Sequence, residues 1–368
     1  MTGTQKRFLV IGPAEAERWL TGEGLRTLER AGEVRRLDLP ALANEAEREA
    51  AFDRAIEDTD ALLVAPWGRQ GVPAFTVERW ERTKALAVIA GTFDHRFAGW
   101  LDVAEARRRG VAVIDTSGAM SLTVAEFALT MILNLLRDVP DTVAEVRRGG
   151  WPHGWQDLPG FVFGDLAGRR VGLAGFGVIG RRLTELLAPF RCVVSACDPF
   201  VPTELMQRFG VRRVEAMRDL AVSSEIFVVA IPKTPATEGV VSREVIDALP
   251  RGALFVLVGR MWTVEQEALW RRTEAGEIRA AIDVFLPEPP PADHPARTDL
   301  HVLPTPHLAG NTVQANRRCF TAACAEAIAA LEGRALQYAV RPAQAALYAG
   351  TPEPAAVPAS ARVAGRQE

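Results

Sequence analysis

A chain of 368 residues is long enough for about two domains. Its 43 Lys and Arg nearly balance 46 Asp and Glu, a formal charge of −3, which leaves no electrostatic footprint for nucleic acid or an anionic membrane. The longest apolar run near the middle, Phe127–Leu136, is broken by Thr130 and Asn134 and reads as too short to span a bilayer.

The first apolar run, Phe8–Ile11, ends at Gly12-Pro13. It is too short for a signal-peptide core and reads as a buried strand. Further strand-like runs follow at Ala61–Ala65, Leu86–Ile89 and Val111–Ile114. A second series comprises Val171–Ala174, Val193–Ala196, Ile226–Ile231, Leu254–Val258 and Ala280–Val284. Short apolar runs alternating with charged helical stretches predict an α/β fold of parallel sheets covered on both faces. Between the two series, Arg147–Gly164 is rich in Gly, Trp and Pro and reads as a loop. Pro304–Thr312 is turn-rich and precedes a helical pattern from Val313 to about Glu332. The stretch 346–368 is rich in Ala, Pro and polar residues and reads as a disordered tail.

Four cysteines form no disulfide framework. Cys192 and Cys197 fall in one candidate strand, and Cys319 and Cys324 in one candidate helix. Neither pair has zinc-ligand spacing, so they read as reduced thiols of a cytoplasmic protein. His95, His153, His294 and His301 show no ligand pattern either, so no metal site is expected.

The most informative stretch is Val171-Gly172-Leu173-Ala174-Gly175-Phe176-Gly177-Val178-Ile179-Gly180, a strand running into G-x-G-x-x-G and then an amphipathic segment, Arg181–Pro189. Gly175 permits the tight turn off the strand, Gly177 the approach of backbone to a pyrophosphate, and Gly180 close packing of helix on strand. Asp198 ends the next strand, where an acid accepts the hydroxyls of the adenosine ribose. It also repels a 2′-phosphate, and residues 199–202 contain no Arg, so NAD is expected rather than NADP. Ile231 and Val258 complete the residues expected against the cofactor. Thr234 and Thr237 suit either a cofactor contact or a turn cap.

Three further strand ends carry polar residues, as ligand sites of open α/β sheets do. Val258-Gly259 leads to Arg260, Val284-Phe285-Leu286-Pro287 to Glu288, and Thr305-Pro306 to His307. Reduction of a ketone beside a carboxylate needs a cation for that carboxylate, and Arg260 offers a planar fork. It needs a proton donor for the developing alkoxide, and a histidine such as His307 ordinarily titrates near neutrality. A neighbouring acid, Glu288, favours the charged imidazole.

The stretches "GLAGFGVIG", "IPKTPAT", "VGRMWTVEQEAL", "AAIDVFLPEP" and "TPHLAG", with "AGTFDH", "RRRGVAVIDTSG" and "TVAEFAL" upstream, resemble the D-isomer-specific 2-hydroxyacid dehydrogenases from about Ala61 to Asn311. The resemblance implies two Rossmann-like, doubly wound parallel-sheet domains, the cofactor domain inserted into the substrate domain. The expected boundaries are 1–118 and 310–345 for the substrate domain and 119–309 for the NAD-binding domain. It implies Arg260 as the substrate-orienting arginine, Glu288 as the acid paired with histidine and His307 as the proton relay. It also implies Asp283 as the acid for the nicotinamide amide, backbone amides at Trp67–Gly68 and Gly91–Phe93 facing the substrate carboxylate, and a homodimer using Arg147–Gly164.

The chain departs from the family pattern beside its arginine. Leu257 stands where the family usually has Asn, Met261 where it usually has Gly, and Trp262 follows. These changes are expected to reshape the pocket wall. Two other readings remain open: an NAD(H)-sensing, corepressor-like binding protein on the same fold, and a dehydrogenase acting on a phosphonate-like anion.

Overall fold

The computed structural model describes residues 5–14, 21–39, 41–66, 72–93, 97, 100–151, 164–342 and 344. The chain divides into two compact units, Met1–Met120 with Asn311–Val357, and Ser121–Gly310. The division falls two residues beyond the expected crossing at Gly118. The short helical turn Thr116–Met120 stays with the first unit, where Gly118 lies against Tyr338.

The first unit runs β1 (Lys6–Ile11), α1 (Gly22–Ala31), β2 (Gly32–Leu37), α2 (Glu45–Ile56), β3 (Ala61–Val64), α3 (Val77–Arg82), β4 (Val88–Gly91), α4 (Val103–Arg108) and β5 (Ala112–Asp115). Its five strands lie in the order β2-β1-β3-β4-β5, all parallel. The inner strands β3 and β4 are buried at every residue, which is why they read as continuous apolar runs. The edge strand β2, Gly-Glu-Val-Arg-Arg-Leu, is only half-buried and escapes a search for such runs.

The second unit begins with α5 (Ser121–Arg137) and α6 (Val139–Arg147). It continues through β6 (Arg170–Ala174), α7 (Val178–Leu187), β7 (Val193–Cys197), α8 (Thr203–Arg208), β8 (Arg212–Arg213), α9 (Met217–Ser223) and β9 (Ile226–Val229). Then come α10 (Arg243–Asp247), β10 (Leu254–Leu257), α11 (Gln266–Glu274), β11 (Arg279–Ile282) and β12 (Val302–Pro304). The seven strands lie in the order β12-β11-β10-β9-β6-β7-β8, all parallel. After β6 the chain moves outward to β7 and β8, then returns to place β9 on the other side of β6. That reversal makes a crevice at the carboxyl ends of β6 and β9, the usual ligand position in such sheets.

The helical stretch Thr116–Arg137 is 22 residues long with a mean hydropathy of 1.7. By length and composition it is enough to cross a membrane, which corrects the length argument made on Phe127–Leu136: the helix begins well before Phe127. Its window is 44% buried, and Ala125, Ala128, Met131, Ile132, Leu135 and Leu136 enter one apolar core with strand residues Val171, Val256 and Ala281. The burial is that of a helix laid on a sheet. Arg279 of β11 fixes its end, donating to the Leu135 carbonyl at 2.7 Å and pairing with the Asp138 carboxylate at 2.6 Å. Burial raises the proton affinity of that carboxyl, and Arg279 opposes the shift.

The last helix, α12 (Val313–Leu331), returns to the first unit and packs on α1. Its small buried face, Ala315, Cys319, Ala323, Cys324 and Ala327, flanks Phe320, and a side chain at Gly24 would collide with that ring. Cys192 precedes β7 rather than lying in it, and all four thiols are free. Burial pushes the Cys319 thiol up to about 11 and raises Cys324 as well, so both are neutral, packed groups. The expected tail, 346–368, lies outside the described residues.

Candidate active site

At the end of β6 the chain turns at Gly175, whose φ of 93° favours glycine. A side chain there would press on the Ala230 carbonyl at 3.0 Å, and one at Gly180 would meet the Gly175 carbonyl at 2.8 Å. Gly177, in contrast, is exposed with nothing within 4 Å of a would-be side chain. The first residues of α7, Val178 and Ile179, follow it with no side-chain cap at Gly177, so no capping side chain takes up the first-turn amides. An open glycine before an uncapped helix start fits the pyrophosphate of a dinucleotide, which makes Gly177, Val178, Ile179 and Gly180 the candidates to hold it.

Phe176 contributes differently from its neighbours. Its ring is fully buried edge-on to Phe209, with centroids 5.8 Å apart, and its amide donates to Asp198 Oδ2 at 2.8 Å. Asp198 Oδ1 also accepts from the Phe200 amide at 2.9 Å. The acid therefore braces the glycine turn from the neighbouring strand end. Two arginines outside residues 199–202 interact electrostatically with Asp198: Arg181 on α7, and Arg213 on β8. Burial lowers the proton affinity of Arg181, with Asp198 opposing. Arg213 is engaged by Glu215 at 2.7 Å and the Val201 carbonyl at 2.6 Å.

Beyond the carboxyl ends of β11 and β12, His307 and Glu288 meet. Nδ1 of His307 lies 2.8 Å from Glu288 Oε2, while Glu288 Oε1 accepts from the Phe285 amide at 2.8 Å. Both side chains keep about a third of their surface, 34% and 36%, so the imidazole is fixed at one nitrogen and still accessible. The His307 backbone has a φ of +55°, a left-handed conformation uncommon outside glycine. It is held there by its amide, which donates to the Asp283 carbonyl at 2.8 Å and the Thr305 carbonyl at 3.0 Å.

Asp283 does more than supply that carbonyl. Its carboxylate is fully buried and accepts from Thr305 Oγ1 at 2.7 Å, Leu308 N at 2.9 Å and Ala309 N at 2.9 Å. The resemblance makes this residue the acid for the nicotinamide amide, but here the carboxylate has no solvent-facing surface and binds the loop that carries His307. Thr305, its hydroxyl partner, was not among the expected site residues. An Asp283→Asn variant sets an amide N–H against these donors. It is expected to lower turnover roughly a hundredfold and stability by about 2 kcal/mol, since a buried donor left without an acceptor costs about 1–3 kcal/mol. Urea unfolding alongside steady-state kinetics checks both.

Arg260 follows β10 and Gly259, its Nη1 donating to the Gly259 carbonyl at 2.7 Å. Its own carbonyl accepts from Thr263 N at 3.0 Å and Thr263 Oγ1 at 2.8 Å, so the arginine starts a tight turn. The expected reshaping of a pocket wall needs correction at two of its three positions. Leu257 and Met261 are fully buried in the core beneath the sheet's carboxyl edge, because a strand-end residue and the first residue of the turn both point inward. Only Trp262 is half-buried. Ile231 and Val258 are buried at 8% and 4% exposure, which leaves little side-chain surface for contact with a ligand. Thr234 and Thr237 cap one another reciprocally, the turn-cap reading of the two open for them.

Among the described residues no cluster of three metal-ligating side chains occurs. His294 packs edge-on against Trp270 and Phe285, and His301 pairs with Asp299 at 3.1 Å. His95, His153, Trp67–Gly68 and most of Arg147–Gly164 lie outside the described residues. In the first unit, the Phe93 amide donates to Asp115 Oδ1 at 3.0 Å.

Residues 129–309 match the family model of the D-isomer specific 2-hydroxyacid dehydrogenase NAD binding domain. The chain is 30% identical over 288 residues to a glyoxylate reductase of Thermofilum pendens, covering 76% of this chain and 80% of the relative. It is 28% identical over 300 residues to a D-3-phosphoglycerate dehydrogenase of Methanocaldococcus jannaschii, covering 81% of this chain and 53% of the relative. The chain thus spans about half the length of the phosphoglycerate dehydrogenases it matches. A solved 2-hydroxyacid dehydrogenase from Ketogulonicigenium vulgare superposes with a TM-score of 0.71 at 25% identity, over 92% of this chain and 99% of that one.

Proposed function

The chain belongs to the D-isomer-specific 2-hydroxyacid dehydrogenases, and from that premise we propose that it interconverts a 2-keto acid and the corresponding D-2-hydroxy acid with NAD. The observation that carries the reading is the His307–Glu288 pair, 2.8 Å apart at the carboxyl edge of the same sheet that presents the open Gly177 turn. When bound, the cofactor would supply the hydride as NADH for reduction and accept it as NAD+ for oxidation.

The chain's residues account for the rest. Glu288 takes the Nδ1 side of the imidazole, so proton exchange with the substrate oxygen falls to Nε2 of His307. In reduction, Nε2 gives its proton as negative charge develops on the keto oxygen; in oxidation it takes the hydroxyl proton. Arg260 holds the substrate carboxylate through paired N–H donors, which fixes the carbon to be reduced relative to His307. A first unit acting as the substrate domain, assembly as a homodimer and a cytoplasmic location complete the reading; four free cysteines accord with a reducing compartment.

The test is oxidation of NADH in the presence of glyoxylate, hydroxypyruvate, pyruvate, bulkier aryl keto acids and phosphonate analogues, with NADPH in parallel. Turnover of at least one keto acid with a preference for NADH supports the reading. NADH binding without oxidation of any of them favours a sensor, and turnover of phosphonates alone moves the substrate class. A clear NADPH preference overturns the role given to Asp198.

A further inference from the structure

The carboxyl ends of β6, β9 and β10 are neighbours in the sheet, and their loops touch. A side chain at Gly175 would lie 3.4 Å from Ile231 Cγ1, and one at Gly259 would lie 2.6 Å from the Ile231 carbonyl. The segment after β9 is thus wedged between the glycine turn and the start of the Arg260 turn. Two residues beyond Ile231 stands Lys233, one of only three lysines in a chain whose cations are otherwise arginines.

Its side chain is not left loose. The Lys233 ammonium sits 4.5 Å from the centre of the Trp262 ring, a cation–π arrangement. Trp262 is itself anchored: its indole N–H donates to the Thr234 carbonyl at 3.0 Å, and its carbonyl accepts from Gly239 N at 3.0 Å. Thr234 is buried and reciprocally capped by Thr237, so the two loops are locked together. Among the described residues no carboxylate pairs with Lys233. An aromatic ring steers the ammonium without neutralising it, which leaves its charge available to an anion.

We propose that Lys233, steered by Trp262, is a cofactor-binding residue that contacts the pyrophosphate of the dinucleotide. The inference rests on the dinucleotide reading of Gly175–Gly180. It gives Trp262 a function as the support of a phosphate-directed cation. Arg260, two residues before Trp262, remains the group for the substrate carboxylate.

The probes are NADH, ADP-ribose, ADP and adenosine, with affinities measured by calorimetry on the full chain at two salt concentrations. Lys233→Met keeps the aliphatic stem. It is expected to weaken NADH, ADP-ribose and ADP by roughly three- to tenfold, leave adenosine unchanged, and flatten the salt dependence of ADP-ribose binding, as loss of one charge-assisted contact predicts. Lys233→Arg should retain most of the affinity. Trp262→Leu should weaken the same three ligands, and the double variant should be no weaker than Lys233→Met.

Unchanged affinity for all three phosphate ligands in Lys233→Met, with wild type binding normally, overturns the inference alone. So does a raised KM for the keto acid at unchanged NADH affinity, which assigns the lysine to a substrate anion. Failure of wild type to bind NADH or ADP-ribose overturns the dinucleotide reading and this inference with it.

Discussion

Replacing His307 with Asn is expected to lower kcat in both directions by roughly a thousandfold, within the 10²–10⁴ range that a positioned acid–base group contributes. Asn is the informative substitution because residue 307 has a φ of +55°, and Asn tolerates the left-handed region better than most side chains. Its amide can donate to Glu288, so the loop keeps its shape while the titrating nitrogen is lost. NADH affinity should stay within about twofold, since the candidate pyrophosphate holders lie at the start of α7. Loss in both directions follows from one group giving the proton in reduction and taking it in oxidation. Turnover near wild type on a confirmed keto acid, with the fold verified, removes His307 from the mechanism.

Much of this arrangement is legible in the sequence because buried parallel strands and glycine turns are local in character. β3, β6, β9, β10 and β11 are apolar at nearly every position because helices cover both faces. The glycine pattern announces itself because only glycine tolerates contacts as close as those at Gly175 and Gly180. Edge strands are harder: β2 mixes charge with half-burial, and β8 is only two residues long.

The site shows the same division. Arg260, Glu288 and His307 each follow a strand of one sheet, so strand prediction brings them to one edge. Sequence distance hides the contacts that support them. The Asp283 carboxylate reaches residues 305, 308 and 309, more than twenty positions on. Met261 looks like a pocket residue beside Arg260 until the turn at Thr263 sends it into the core. Arg279 and Asp138 are 141 residues apart, beyond any local pattern. Burial of both partners makes that pair structural rather than catalytic, a distinction that needs coordinates.

Arg260→Met should reduce kcat/KM for the keto acid by about 10²–10³-fold, while Arg260→Lys should retain part of the activity. The magnitude follows from the bonds lost. A carboxylate held by two charge-assisted hydrogen bonds at the lower end of their range, about 1.5–2 kcal/mol each, loses about 3–4 kcal/mol overall, and each 1.4 kcal/mol is about tenfold. Lysine restores the charge but not the planar pair of donors, so KM should recover more than kcat: the substrate is attracted but poorly oriented. Met conserves bulk, and the turn survives because the backbone carbonyl of residue 260, not its side chain, accepts both bonds from Thr263. NADH affinity should therefore be unchanged in both variants, measured by fluorescence quenching alongside initial rates. Near wild-type activity in the Lys variant would refute a bidentate clamp, because a group acting only as a charge is replaced by lysine. A loss below about tenfold in the Met variant would shift the carboxylate contact to another residue, since that factor is less than one charge-assisted bond.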